Sequence, residues 1–132
     1  MMDLEGLSTD LGKAAAQTTV GGVQVASYRR VPPSPELPCI YVGLPTNMMD
    51  FSSYGSCSLD IAVTACVGRP NEDDGYDQLS AILSTDLIQR LMTFKSDYWI
   101  DIAFKNINNI RATEFGTTNV YAADINLQLR TT

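Results

Sequence analysis

The chain of 132 residues contains no histidine. That absence removes the usual general base of serine and cysteine hydrolases, together with the commonest metal ligand. An enzyme built on this sequence would have to work with carboxylates or lysine. Cysteine is scarce: Cys39, Cys57 and Cys66 are odd in number and lack a CxxC or Cys/His spacing. A disulfide framework or zinc site is therefore not expected, and a reduced cytosol fits best. Basic residues are also few, nine against fifteen acids, for a net charge of −6 and a pI near 4.4. This balance opposes a role in gripping phosphate backbones. Long apolar runs are missing too, since the nearly uncharged stretch Ser58 to Gly68 is far too short to span a membrane. The opening residues MMDLEGLSTD carry acids where a secretory signal would carry basic residues, so the protein is expected to stay in the compartment where it is made.

What is present reads as one domain covering 1–132. A hydrophobic content of 45% with 18% charged residues is ordinary for a globular fold, and a chain of this length buries roughly two thirds of its unfolded surface. Leu4, Leu7, Leu11, Ala14 and Ala15 recur at spacings of three and four, which predicts an amphipathic helix over 3–16. Gly21-Gly22 punctuates the chain, and Val23 to Tyr28 reads as a short strand. Ile40, Val42 and Leu44 mark the apolar face of the next strand.

Strict alternation follows in Cys57 to Val67, with Leu59, Ile61, Val63, Ala65 and Val67 on one face and Ser58, Asp60, Thr64 and Cys66 on the other. The chain closes on an equally regular pattern, in which Tyr121, Ala123, Ile125, Leu127 and Leu129 face inward. Ile100, Ile102 and Phe104 predict a further inward face, paired to the last strand through the turn residues Phe115 to Asn119. Between the strands, Asn71 is a candidate N-cap, followed by the acids Glu72, Asp73 and Asp74 that suit a helix N-terminus. Tyr76, Leu79, Ile82 and Leu83 supply a predicted buried stripe, continued by Leu87, Ile88, Leu91 and Met92 after a second capping signal at Ser84 to Asp86. The expectation is an α+β fold, a mostly antiparallel sheet with helices packed on one face.

Chemistry-bearing motifs are weak. Glu72-Asp73-Asp74 lacks the alternating spacing of a calcium loop, and Gly21-Gly22 has no phosphate-loop context. The cysteines sit on or beside predicted strands and read as packing residues. No catalytic, cofactor-binding or metal-ligating set is expected. One stretch resists a bland reading: Pro45 to Gly55, PTNMMDFSSYG, reads as a loop yet carries Met48, Met49, Phe51 and Tyr54. Such side chains in a loop form an adaptable contact surface, unless they fold back as extra strand or core. Five of the six prolines fall between Arg29 and Pro45. Proline fixes φ and donates nothing to a ladder, so Val31 to Pro38 is expected to run extended over the surface and to suit either a subunit boundary or a rigid connection.

The order of parts resembles the tail terminator proteins, also called tail completion or minor tail proteins, of long non-contractile tailed bacteriophages. The resemblance rests on GGVQVASYRRVPPSPELPCIYVGLP after an N-terminal helix, SLDIAVTACVGRPNEDDGYDQLSAIL, the second helical piece, and EFGTTNVYAADINLQL. It covers nearly the whole chain and implies a tail-terminator-like fold without enzyme activity or cofactor. It further implies a structural protein of the virion neck, assembled in the host cytoplasm as a homohexameric ring. Such a ring ends the tail tube and joins it to the head-completion or stopper protein, with no membrane involved. Other neck components, head-completion or head-to-tail connector proteins, are similar in size and form the alternative. A monomeric small-molecule binding module is the third.

In this reading Met48, Met49, Phe51, Tyr54, Arg29 and Arg30 are the candidate interface residues. Genome DNA would pass through the ring without specific binding, so the lumen is expected to be acidic or neutral, because clustered Lys or Arg would trap a polyanion. Asp60, Asp101 and Asp124 are the candidate lining residues.

Overall fold

The alternation that marks the two central strands also explains why they pair. The structure, a computed structural model, describes residues 4–20, 23–30, 36–51, 56–68, 72–84, 86–115 and 118–131. In chain order the elements are α1 (Leu4–Ala15), β1 (Thr19–Val20), β2 (Val23–Gln24), β3 (Ala26–Tyr28), β4 (Cys39–Val42), β5 (Asn47–Phe51) and β6 (Ser56–Gly68). They continue with α2 (Glu72–Leu83), α3 (Leu87–Thr93), β7 (Asp101–Phe115) and β8 (Thr118–Thr131). β6 and β8 run antiparallel from Cys57 opposite Thr131 to Gly68 opposite Val120. The apolar sets of both strands therefore fall on one face, and Leu59, Ile61, Val63, Ala65, Ala123, Ile125, Leu127 and Leu129 are fully buried there.

The main sheet has the order β3-β4-β6-β8-β7, and β5 joins β6 below β4. Its pairings are antiparallel except β3 with β4. β1 and β2 make a separate small ribbon. All three helices cover the same face: Leu7 and Leu11 of α1, Leu79 and Ile82 of α2, and Leu87 and Leu91 of α3 close over the inner residues of β4, β6 and β8. The fold is thus α+β with helices on one side. Burial of each such leucine or isoleucine stabilises by roughly 1.5–3 kcal/mol.

The two helical pieces after β6 separate near Ser84. Its hydroxyl donates to the Ser80 carbonyl at 2.7 Å, a back-bond that competes with the helix ladder. Asp86 occupies the N-cap position of α3 without a side-chain cap bond and pairs instead with Arg90. Arg90 also donates to the buried Thr18, tying α3 to the chain after α1. Asp10 accepts from Ser96 at 2.6 Å and fixes the middle of α1 against the segment following α3.

The structure departs from the sequence expectations at several points. Tyr76 is 62% exposed and Met92 lies at the surface, while Leu83 is only half-buried, because the helical stripe is wider than the sheet surface beneath it. Ile100 and Phe104 are exposed although their alternation matches that of the core strands. They lie at the start of the β7 edge, where β8 pairs on one side only and the helical layer leaves these two side chains uncovered, whereas Ile102 and Ile107 of the same strand pack against the core. The stretch read as a loop from Pro45 is half strand. Thr46 N–H donates to the Asp60 carbonyl at 2.9 Å, and β5 then pairs with β6 from Asn47 opposite Asp60 to Phe51 opposite Ser56. Tyr54, Asn71, Gly21-Gly22 and residues 31–35 lie outside the described residues.

The end of the proline segment has a packing role. Leu37, joined to Pro38 by a cis peptide, packs with Tyr28 and Tyr41 against Cys39, Cys66, Val120 and Ala122 on the helix-free face. The Tyr28 hydroxyl accepts the Glu36 N–H at 3.1 Å. A second, smaller core results, and it buries Cys66, which the alternation had placed on the polar side.

These two environments separate on mutation. Ile82→Ala, at a fully buried position under α2, should lower stability by about 2–5 kcal/mol. Tyr76→Ala should stay within about 0.5 kcal/mol. Urea melts of both variants measure the difference.

Candidate interaction surfaces

Three surfaces gather the residues singled out in the sequence. On the first, the helix-free face, strand register brings Asp60, Asp101 and Asp124 onto one side of the sheet, and it brings a basic residue to each. Asp60 lies 3.5 Å from Lys105, and Asp124 lies 3.3 Å from Arg111. Asp101 is the register partner of Arg130. Two irregularities in β7, between Phe104 and Asn106 and between Asn108 and Arg111, set these partners in place. At the second, Asn109 adopts φ 54°, a left-handed conformation that asparagine tolerates better than most residues.

The turn lets Asn109 Nδ2 donate to Asp124 Oδ2 at 3.1 Å while its carbonyl accepts from Arg111 at 2.8 Å. Thr64 Oγ1 donates to Asp124 Oδ1 at 2.8 Å, so this carboxylate is held by three side chains from β6 and β7. Beside it, Asn126 Nδ2 donates to Asn106 and Asn108 at 2.8 and 2.7 Å. The face is therefore polar with balanced charge. Its amides and paired ions were not legible as a group in the sequence, because the bulges that assemble them leave no distinct residue pattern.

Next to this network lies the second core. The hydrogen bond with Cys66 holds the Cys39 thiol well above its ordinary range, with burial acting in the same direction. Cys66, on the other side of that bond, is shifted down. Both cysteines are fully buried packing residues. Burial also pushes up the Tyr41 hydroxyl, and Thr64 and Arg111 offset part of that shift.

The second surface surrounds Arg29 and Arg30, which leave the sheet at the end of β3. Arg29 pairs with Glu5 at 2.9 Å, and Arg30 approaches the same carboxylate oxygen at 3.6 Å. With Leu4, Val42 and Leu44 they line a depression of about 370 Å³. α1 is held here by close backbone approach: a Cβ at Gly12 would sit 3.6 Å from the Arg29 backbone, and Ser27 donates to the Gly12 carbonyl at 2.7 Å. Met48, Met49 and Phe51 are strand positions near this flank, opposite Leu59, Ser58 and Ser56. Their side chains, like Tyr54, lie outside the described residues.

The third surface is β7 itself, where alternation had placed Ile102 and Phe104 facing inward. Phe104 is 38% and Ile110 is 60% exposed, and Ile110 lines a small hollow with Tyr76, Leu79 and Leu83. Among the described residues no group of three or more acidic or cysteine side chains could hold a metal ion. No helix among them is long and apolar enough to cross a membrane.

Tyr41 gives the helix-free face a pH signature. Its folded pKa is raised above the ordinary value of 10.0, so the fold favours the protonated hydroxyl. That contribution is complete below pH 10.0 and is lost as pH rises from there through the folded value. Denaturant melts across the alkaline range should show stability falling, with a shallower fall in Tyr41→Phe.

Comparison with known proteins returned no matching family model and no matching curated relative.

Proposed function

We propose that this chain is a structural ring subunit of a tailed-phage neck, acting as the terminator of the tail tube and joining it to the head-completion complex. The observation that carries this reading is the β7 edge. It is a fifteen-residue strand at the border of the sheet, with Ile100, Phe104 and Ile110 exposed beside it. A strand edge offers unpaired backbone donors and acceptors, and apolar side chains left in water beside it favour coverage by another subunit. The order of parts along the chain, from the N-terminal helix through the proline segment to the closing hairpin, supports the same assignment.

The helix-free face suits the passage of DNA. Arg111 and Lys105 are engaged by Asp124 and Asp60, so this face presents amides and paired ions in place of a basic track. A polyanion sliding past such a wall releases few counterions and is not trapped.

Electron microscopy of the concentrated protein tests the proposal. Closed rings that cap the ends of isolated tail tubes are expected. Phe104→Asp should fold normally, given its exposure, and should fail to form them. Rings that bind heads and ignore tube ends would reassign the chain to another neck component. A protein that stays monomeric with and without tubes would overturn the reading.

A further inference from the structure

β4 and β6 each bring a cysteine to the same register position. Cys39 stands directly opposite Cys66 in the antiparallel ladder, and both side chains are buried on the helix-free face within the second core. We propose that Cys39 and Cys66 form a reversible dithiol–disulfide pair, a modification site at which hydrogen peroxide staples β4 to β6. The bond belongs to the subunit itself and does not depend on what the subunit assembles into.

Geometry admits this pair alone. Residues directly opposite across antiparallel strands have Cα atoms about 4.5–5.5 Å apart, inside the range of about 4.4–6.8 Å that a disulfide spans. Cys57 lies at the far end of β6, opposite Asp50 and Thr131, and an extended strand separates it from Cys66 by roughly 30 Å. The odd spacing also puts positions 57 and 66 on opposite faces of the sheet. The third cysteine is therefore out of reach of both.

The local chemistry divides the roles. The Cys39 thiol donates to the Cys66 sulfur, which holds Cys66 below its ordinary range, and Arg111 acts in the same direction against the effect of burial. Thiolate character, which a nucleophilic sulfur needs, thus collects on Cys66. Its sulfur attacks one oxygen of the peroxide and the O–O bond breaks, leaving a sulfenic acid on Cys66 and a hydroxide that recombines with the proton Cys66 released. The Cys39 sulfur then attacks the Cys66 sulfur, and its proton leaves with the sulfenic oxygen as a second water. Two thiols lose two electrons in total, and one peroxide is reduced to two waters.

Access is through the border of the sheet. Tyr28, Leu37 and Tyr41, which cover the sulfurs, are each only half-buried. β3 is three residues long and ends the strand order, so local opening there costs less than in the centre. β4 joins β6 over four register positions, whereas β8 joins it over twelve. A bond at Cys39 secures the shorter ladder, the one that carries β3 and β4.

Peroxide treatment of the folded full chain tests the assignment. After quenching, alkylation in denaturant should label Cys39 and Cys66 in untreated protein and neither in treated protein. Digestion should yield a peptide pair linked through these two residues, about 2 Da lighter than its reduced halves together, for the two hydrogens lost. The melting midpoint should rise by about 5–15 °C and return on reduction with dithiothreitol. Cys66→Ala, which keeps a small apolar side chain, should show no peroxide-dependent rise. Thiols at 39 and 66 that survive a dose sufficient to oxidise a free cysteine peptide would overturn the proposal. A sulfinic acid at Cys66 without the link, a link through Cys57 in place of either partner, or a link that lowers the midpoint would overturn it equally. Should Cys66→Ala not melt cooperatively, Cys39→Ala takes its place, and the wild-type linkage map still decides the outcome.

Discussion

The antiparallel register of β6 with β8 is the constraint on which the rest of the molecule depends. Side chains alternate with period two, so a slip of one residue would exchange the buried set Leu59, Ile61, Val63 and Ala65 for Ser58, Asp60, Ala62 and Thr64. The same register that buries the first set places Thr64 opposite Asp124 and Cys66 opposite Ala122 on the far face. Core, polar network and second core are therefore consequences of one alignment. The helices depend on it too, because α2 and α3 find an apolar surface only if both strands present their leucines and isoleucines together.

This dependence decides what was legible in the sequence. Strands with a long, strict alternation and helices with a clear apolar stripe could be read directly, and α1, β6, β8 and the break near Ser84 fall where periodicity placed them. Burial could not be read so well. Ile102 and Phe104 alternate like Leu127 and Leu129, yet the first two are partly or largely exposed and the last two are buried. Periodicity reports which side a residue faces and is silent on whether another layer lies above it. At Cys66 alternation pointed to the polar side while residue type pointed to packing, and packing holds: Cys39, Cys66, Val120 and Ala122 are buried on the helix-free side against Leu37 and two tyrosines. The small size of these side chains was the available signal, since solvent-facing strand positions seldom carry so many of them together. The parallel pairing of β3 with β4 was hidden for a different reason. It depends on where the proline segment returns to the sheet, and nothing local fixes that.

The candidate surfaces show the same division. Arg29 and Arg30 stood out because adjacent basic residues are rare in an acidic chain. Asp60, Asp101 and Asp124 could be placed on the outward side from alternation alone. Their basic partners could not, because Lys105 and Arg111 reach them through bulges in β7. A net charge of −6 thus gives little guide to the local field of this face. Fixed charges within a few ångströms are neutralised pair by pair, and the remaining acid excess resides elsewhere, notably at the start of α2.

β7 combines two properties that are usually opposed. An exposed edge strand with apolar residues is an aggregation hazard, and proteins guard such edges with bulges, lysines and short straight runs. β7 has these guards: the irregularity at Lys105 and the left-handed turn at Asn109 divide its fifteen residues into shorter segments. Indefinite edge-to-edge pairing along the whole strand is thereby hindered, since a bulge twists the ladder away from a flat partner. Phe104 and Ile110 nonetheless remain uncovered. A partner of matching shape can bury them, whereas a generic extended strand meets a broken ladder. Closed assembly requires that selectivity, because a subunit that accepts any strand grows into fibres and one that accepts a single shaped partner at a fixed angle can stop at a ring.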